Sequence, residues 1–448
     1  MMSRFPTEYL VRICWIFLAG LALGSAEPLT RIADIRMLPR EQARKALPVR
    51  VRGVVTWRSG RENLIVQDDS AGIWVSIIGA RDRGLWRDGY AEIDKAREGT
   101  EVEIEGETDP GGYAPQIIPT ALRVVGRKPL PAALRMEPER FFSGADDCQR
   151  VEVRGVVQGF QRTSQGVTLV MDANPGSFSA LVTSAVVPDP AALVDANVRL
   201  RGVAATLFNT RGEVTGSRML ASIAGDLVVE KPPPPPDAVP MVTLDRLLPF
   251  RPEPAGPHRV RVEGTVTYSL PGKFFYLQEG ASAVRVETTS LIPLQPGDRV
   301  EAAGFVKMSR LIGTLSDATV RKTGVAALPE PVVISPEEIF ALNAEAVKSG
   351  QVAQPHDYDG HLIRCRALLL AVQSEPDGKA LRALTLERAN TLGKGTLVFR
   401  ALFDDAKMRE LERLQPGSEL EVTGLVQLDY APGELPSRIS ARSRPIST

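Results

Sequence analysis

The sequence predicts an all-β protein assembled from four small five-stranded barrels in tandem, and three observations carry that prediction. An alternating stretch recurs as "VRVRGVV" around Gly53, "VEVRGVV" around Gly155, "VRVEGTV" around Gly264 and, more weakly, "IRCRALL" around Ala367, at spacings of 102, 109 and 103 residues. Each copy has a second alternating stretch downstream: "REGTEVEIEGET", "VDANVRLRGVA", "LQPGDRVEAAGFV" and "LQPGSELEVTGLV". Finally, only 6% of the 448 residues are aromatic while Gly (38) and Pro (35) abound, which suits short strands joined by many turns.

The elements follow in chain order. Arg4 and Arg12, the apolar run Ile13–Ala22 and the small residues before Ala26 make a secretory signal, residues 1–26, with cleavage expected after Ala26. The run is shorter than the ~20 apolar residues of a spanning helix, and no later stretch is apolar enough to span a membrane. Each copy then opens with a leader, such as "TRIADIRMLPREQARKALP", ahead of its first strand. In that strand apolar and charged residues alternate, so one face is buried, and the Gly marks a sharp bend. A hairpin follows, "LIVQDDSAGIWVSI" in copy one and "FYLQEGASAVRVET" in copy three; copy two, "TLVMDANPGSFSALV", is looser and copy four has a longer turn. By alternation Leu64, Val66, Ile73 and Val75 point inward, and Ile65, Gln67, Trp74 and Ser76 outward. The connector varies, with a short helix in some copies; Asp404 caps one in copy four, where Met408 and Leu411 share a face. A second bent strand and a closing strand complete the order of a five-stranded Greek-key OB barrel.

These motifs divide the mature chain into barrels at 27–128, 129–230, 241–331 and 332–448. Between the second and third lies "KPPPPPDAVP", residues 231–240, a stiff polyproline spacer. Leader, "VRVRGVV", "VQDDSAGIWV" and "GTEVEIEG" together resemble the extracytoplasmic OB-like repeats that precede membrane segments in some bacterial sensor histidine kinases. The resemblance implies a periplasmic or secreted module of a bacterial protein. No second membrane segment or kinase domain follows the fourth copy, so signalling by this chain alone is not expected. What carries over is a binding or spacing role.

The sequence offers little to a catalyst. Its three histidines are His258, in a strand lead-in, and His356 and His361, which flank Asp357 and Asp359 in "QPHDYDGH" at a spacing that matches no zinc motif. Asp68 and Asp69 sit in a turn that favours Asp for backbone reasons. There is no Gly-rich phosphate loop and no nucleophile elbow. No catalytic residue, metal or cofactor is therefore expected. Cys14 leaves with the signal; Cys365, at an inward strand position, reads as a buried free thiol rather than a bridge to Cys148.

A binding face is expected instead, on strands two and three of copy one. It comprises Trp74, Gln67 and Ser76, with Arg50 and Arg52 from strand one. A Trp beside Arg suits a sugar, an aromatic ligand or an unstacked base; the competing reading packs Trp74 against the leader or copy two. The expected partner is an extracytoplasmic small molecule, glycan or protein. The alternative, single-stranded nucleic acid, is disfavoured by charge: 54 basic against 54 acidic residues overall, and nine against eight over 47–100.

Overall fold

The computed structural model describes residues 27–86, 90–174, 176–183, 185–247, 256–308, 313–335, 358, 360–374, 381–389, 396–404 and 414–426. The expected signal, residues 1–26, lies outside them, as do His356, Asp357 and Asp359.

Barrel one comprises α1 (Ile32–Arg36), α2 (Arg40–Ala43), β1 (Pro48–Ser59), β2 (Asn63–Gln67), β3 (Gly72–Ser76), α3 (Ile77–Asp82), α4 (Ala91–Lys95), β4 (Thr100–Asp109) and β5 (Gln116–Arg127). The strands close in the order β1-β2-β3-β5-β4, the OB order. Val49 and Val51 alternate inward with Leu64, Val66, Ile73 and Val75, as the sequence pattern requires. Gly53 permits the bend that lets β1 pair with both β4 and β2. A Cβ there would lie 2.7 Å from Val66 Cγ1 and 2.9 Å from the Gln67 carbonyl oxygen, so no larger residue fits.

Barrel two has β6 (Leu134–Arg135), α5 (Pro138–Phe142), β7 (Arg150–Thr163), β8 (Gly166–Asp172), β9 (Ser177–Val182), β10 (Asn197–Phe208), β11 (Val214–Ala221) and β12 (Leu227–Lys231). The same order closes through β10–β7 pairing, and β6 and β12 extend the sheet. Barrel three has α6 (Leu244–Leu247), β13 (Arg259–Leu270), β14 (Phe274–Glu279), β15 (Ser282–Glu287), β16 (Asp298–Met308) and β17 (Gly313–Val325), closed in the same order. Of the fourth unit the structure describes β18 (Val332–Val333), β19 (Leu362–Ser374), β20 (Leu381–Ala389), β21 (Thr396–Asp404) and β22 (Glu419–Leu425). Here β20 and β22 flank β19, and β21 follows β20. The expected helix after Asp404 and the expected closing strand fall outside the described residues.

The leaders share one device. Each lays a short segment parallel to the first strand of its barrel: Leu29 on Val49, Leu134 on Val151, Met241 on Arg261 and Val332 on Ile363. The connector helix occurs as α3 and α4 in barrel one and as a single 3-10 turn, Ala191–Leu193, in barrel two. Cys148 and Cys365 are not joined in a disulfide, and both are buried, Cys365 within the core of the fourth unit.

The polyproline segment is held at both ends. Lys231 pairs with Asn197 in the sheet, while the Pro240 carbonyl accepts from Arg261 N at 2.8 Å. Barrels two and three touch directly, so the segment is a strap across a seam rather than an open spacer.

Candidate functional site

The structure separates the five residues expected on one binding face. Ile65, Gln67, Trp74 and Ser76 do point away from the barrel-one core, but that face meets barrel two. Ile65 is 0% exposed. It packs with Trp57 against Cys148, Val203, Ala205 and Leu220 of barrel two, and Trp74 and Leu181 border the cluster. Trp74 is half-buried, its ring 5.8 Å from Trp57, and its Nε1 donates to Asn63 Oδ1 at 3.2 Å. Gln67 Oε1 accepts the backbone N–H of Arg150 at 3.0 Å. The Ser76 hydroxyl accepts from Gly79 N and so caps α3. Arg50 and Arg52 turn toward β4, where they pair with Glu103 at 2.6 Å and Glu101 at 2.9 Å.

Trp74 thus stands at a seam between barrels, and residues that the sequence did not single out build the rest of it. Gly72 lets barrel two approach: a Cβ there would lie 1.9 Å from the Cys148 carbonyl oxygen. Arg36 of the leader pairs with Asp147 at 2.9 Å, and Asp147 also accepts from Thr206 N at 2.8 Å. Ser222 donates to Glu98 at 2.6 Å. At the other end of the seam Tyr113 stacks on Phe208 with centroids 6.2 Å apart.

The arrangement recurs along the chain. Gln278 occupies in barrel three the place of Gln67, since Thr265↔Gln278 repeats the register Val54↔Gln67. Its Oε1 accepts Leu362 N at 3.3 Å, and His361 Nε2 donates to the Ala281 carbonyl at 3.0 Å. Arg150 and Leu362 each stand five residues ahead of the strand-bend position, Gly155 and Ala367. Arg259 holds that place in barrel three, and its N–H donates to Asp195 Oδ1 at 3.3 Å. In this middle seam the acceptor comes from a different loop. Asp195 also takes His258 Nδ1 at 2.7 Å, and Gln158 Nε2 donates to the Pro257 carbonyl at 3.3 Å. In barrel one the equivalent position is Pro48, which has no N–H to donate. The sequence did carry a signal for these seams: a Gln just before the hairpin turn in "VQDDSAG" and "LQEGASA".

Electrostatics on the outer strands are closed locally. Hydrogen bonds from Lys128 and then Arg52 hold the Glu101 carboxyl below the usual carboxylate range, and Arg50 and Arg123 do the same for Glu103. Glu152 binds Arg201 and Arg199 in barrel two, and Asp298 binds Lys322 in barrel three. These arginines and lysines already face carboxylates, which opposes phosphate-backbone binding on these strands. Asp68 is engaged too: its Oδ2 accepts Ile32 N at 3.0 Å, so the hairpin caps α1 from outside. Among the described residues no group of three His, Cys, Asp or Glu side chains is placed to hold a metal ion.

No protein-family model matches the chain, and no curated protein matches it. Solved structures similar to parts of it include the hypothetical protein ygiW from E. coli, at 19% identity and TM-score 0.17, covering 22% of this chain and 92% of that one. Another is the Ifi202 HINa domain in complex with 20bp dsDNA, at 10% identity and TM-score 0.21, covering 42% and 96%. A third is asparaginyl-tRNA synthetase from Pyrococcus horikoshii, at 19% identity and TM-score 0.17, covering 22% and 23%. Likeness at this level carries no argument, and the barrel assignment stands on strand order.

Proposed function

We propose that the chain is an exported, non-enzymatic scaffold and binding module, in which four OB-like barrels are locked in series to present a small-molecule, glycan or protein site outside the cytoplasm. The repeated seam carries this reading. A face that OB folds commonly use for ligands is occupied, in barrels one and three, by the next barrel, so the units support one another's positions. The half-buried Trp74 at the first seam remains the proposed contact for an apolar or aromatic ligand group. Single-stranded nucleic acid is the weaker reading, because many outer-strand cations, Arg50, Arg52, Arg199, Arg201 and Lys322 among them, are already paired.

Three measurements test this on the full mature chain. Small-angle scattering and inter-barrel energy transfer should report one narrow distance between labels in barrels one and three. A broad distribution would refute the locked series. Binding of a single-stranded oligonucleotide that falls steeply with salt would favour the nucleic-acid reading.

A further inference from the structure

Among the described residues of barrel two, Arg218 is a half-buried cation whose buried Nε has no hydrogen-bond partner and which faces no counter-charge. Along β11, Met219 and Ala221 enter the barrel-two core, so Arg218 and Leu220 lie on the opposite face. Along β9, Ala180 and Val182 are in the core, which leaves Ser179 and Leu181 on that same outer face. The parallel pairing of β11 with β9 sets Arg218 beside Ser179 and Leu220 beside Leu181. Across β10, Arg218 faces Ala205. Leu220 and Ala205 belong to the seam cluster, and Leu181 and Trp74 border it. Arg218 therefore stands at the rim of the first seam, half-buried as is Ser179.

Other arginines of barrel two are paired. Arg150 holds Asp226 at 2.5 Å, and Arg199 and Arg201 share Glu152 at 3.1 and 2.8 Å. Arg218 has no hydrogen-bond or ion-pair partner among the described residues, its Nε is buried, and Ser179 has no side-chain partner there either. Burial, unopposed by any carboxylate, pushes the Arg218 pKa down. Withdrawing a guanidinium from water without compensation is costly, and its planar fork fits carboxylate and phosphate oxygens in a bidentate pair. A serine hydroxyl alongside can donate to the same oxyanion.

We propose that Arg218 and Ser179 form an oxyanion subsite at the rim of the seam between barrels one and two, for a carboxylate- or phosphate-bearing ligand whose apolar part lies against Leu181 and Trp74. The subsite rests on the binding-module reading and gives its ligand a chemical class.

The test uses the full mature chain with phenyl phosphate, benzoate and inorganic phosphate as probes, read by calorimetry and tryptophan fluorescence. Saturable binding is expected for at least one aromatic anion, and whether phosphate or carboxylate binds better identifies the source. Arg218→Gln should weaken it about tenfold or more, the scale of a lost charge-assisted bidentate contact. Ser179→Ala should weaken it less, and Arg218→Lys should fall between parent and Gln. Absence of binding by the parent, or parent-like binding by Arg218→Gln, overturns the subsite. Scattering of the parent separates the two ideas: a locked series that binds no probe sinks the subsite alone. A flexible series that loses anion binding with Arg218→Gln sinks the scaffold and keeps the subsite.

Discussion

Gly72→Ala should open the first seam without unfolding either barrel. Gly72 lies on β3, paired with Gln67, and its φ is not in the left-handed region, so the backbone itself accommodates Ala. The obstacle is barrel two: the added Cβ would sit 1.9 Å from the Cys148 carbonyl oxygen, 2.5 Å from its carbon and 3.2 Å from Gln149 N. Carbon–oxygen contacts begin near ~3.3 Å, so the two backbones must separate by about 1.4 Å. That stretches the 3.0 Å bond between Arg150 N and Gln67 beyond hydrogen-bonding range. Overpacking costs ~1–3 kcal/mol and the buried N–H left without an acceptor ~1–3 kcal/mol, together roughly 2–6 kcal/mol of seam stability. Trp57 and Trp74 report the change directly, since both lie in the seam. The variant should show red-shifted tryptophan emission before denaturant is added, unchanged far-ultraviolet dichroism, and an early separate transition in guanidinium. Gly60→Ala is the control: φ is +52° and no neighbour lies within 4 Å, so local strain should arise with parent-like emission. A Gly72→Ala chain with parent emission and a parent midpoint would refute the seam geometry.

The other expectations concern the caps, the thiols and the strap. Burial opposes the charge on Asp68, but hydrogen bonds from Ser70 and from the N–H groups of Ile32 and Ala71 outweigh it and hold the carboxyl below its usual range. Its stabilisation is therefore complete above the unfolded value of ~3.9 and is lost as pH falls through the lower folded value; Asp68→Asn should flatten that acid limb in a pH titration of stability, and a parent-like limb would contradict the capping role. Burial pushes the Cys148 thiol well up, and Cys365 is buried in a core, so iodoacetamide should label neither until the chain is denatured. Rapid labelling of the folded chain would count against both placements. Proteolysis should cut first near residues 231–240, where the prolines are exposed or half-buried. The two fragments should nonetheless co-elute on a native column, because Asp195, His258 and Gln158 join the halves; prompt separation would argue against that seam.

The barrel interiors were legible from the sequence, because a two-residue period and a Gly bend are local consequences of strand geometry. Leu64, Val66, Ile73 and Val75 fall where alternation puts them. The outer faces were less legible. Alternation tells which side of a sheet Trp74 leaves from, and says nothing of what meets it there. Arg50 and Arg52 looked available because their partners, Glu103 and Glu101, are set by the β1–β4 register across some fifty residues. Gln67 and Gln278 recur at one position in two copies, yet a polar outward residue reads equally as a ligand contact or a docking acceptor until the neighbouring barrel is in place.

Pro48 makes the units non-interchangeable. Barrels two, three and four each offer a backbone N–H at that position, through Arg150, Arg259 and Leu362. A rearranged gene that placed barrel one behind barrel three would set the proline ring against the Gln278 oxygen, leaving a buried acceptor unanswered. The same cut made between barrels two and four would keep a donor in every seam. One backbone atom thus sets the first module apart: the later three each bring a donor to the seam behind them, and the first brings none.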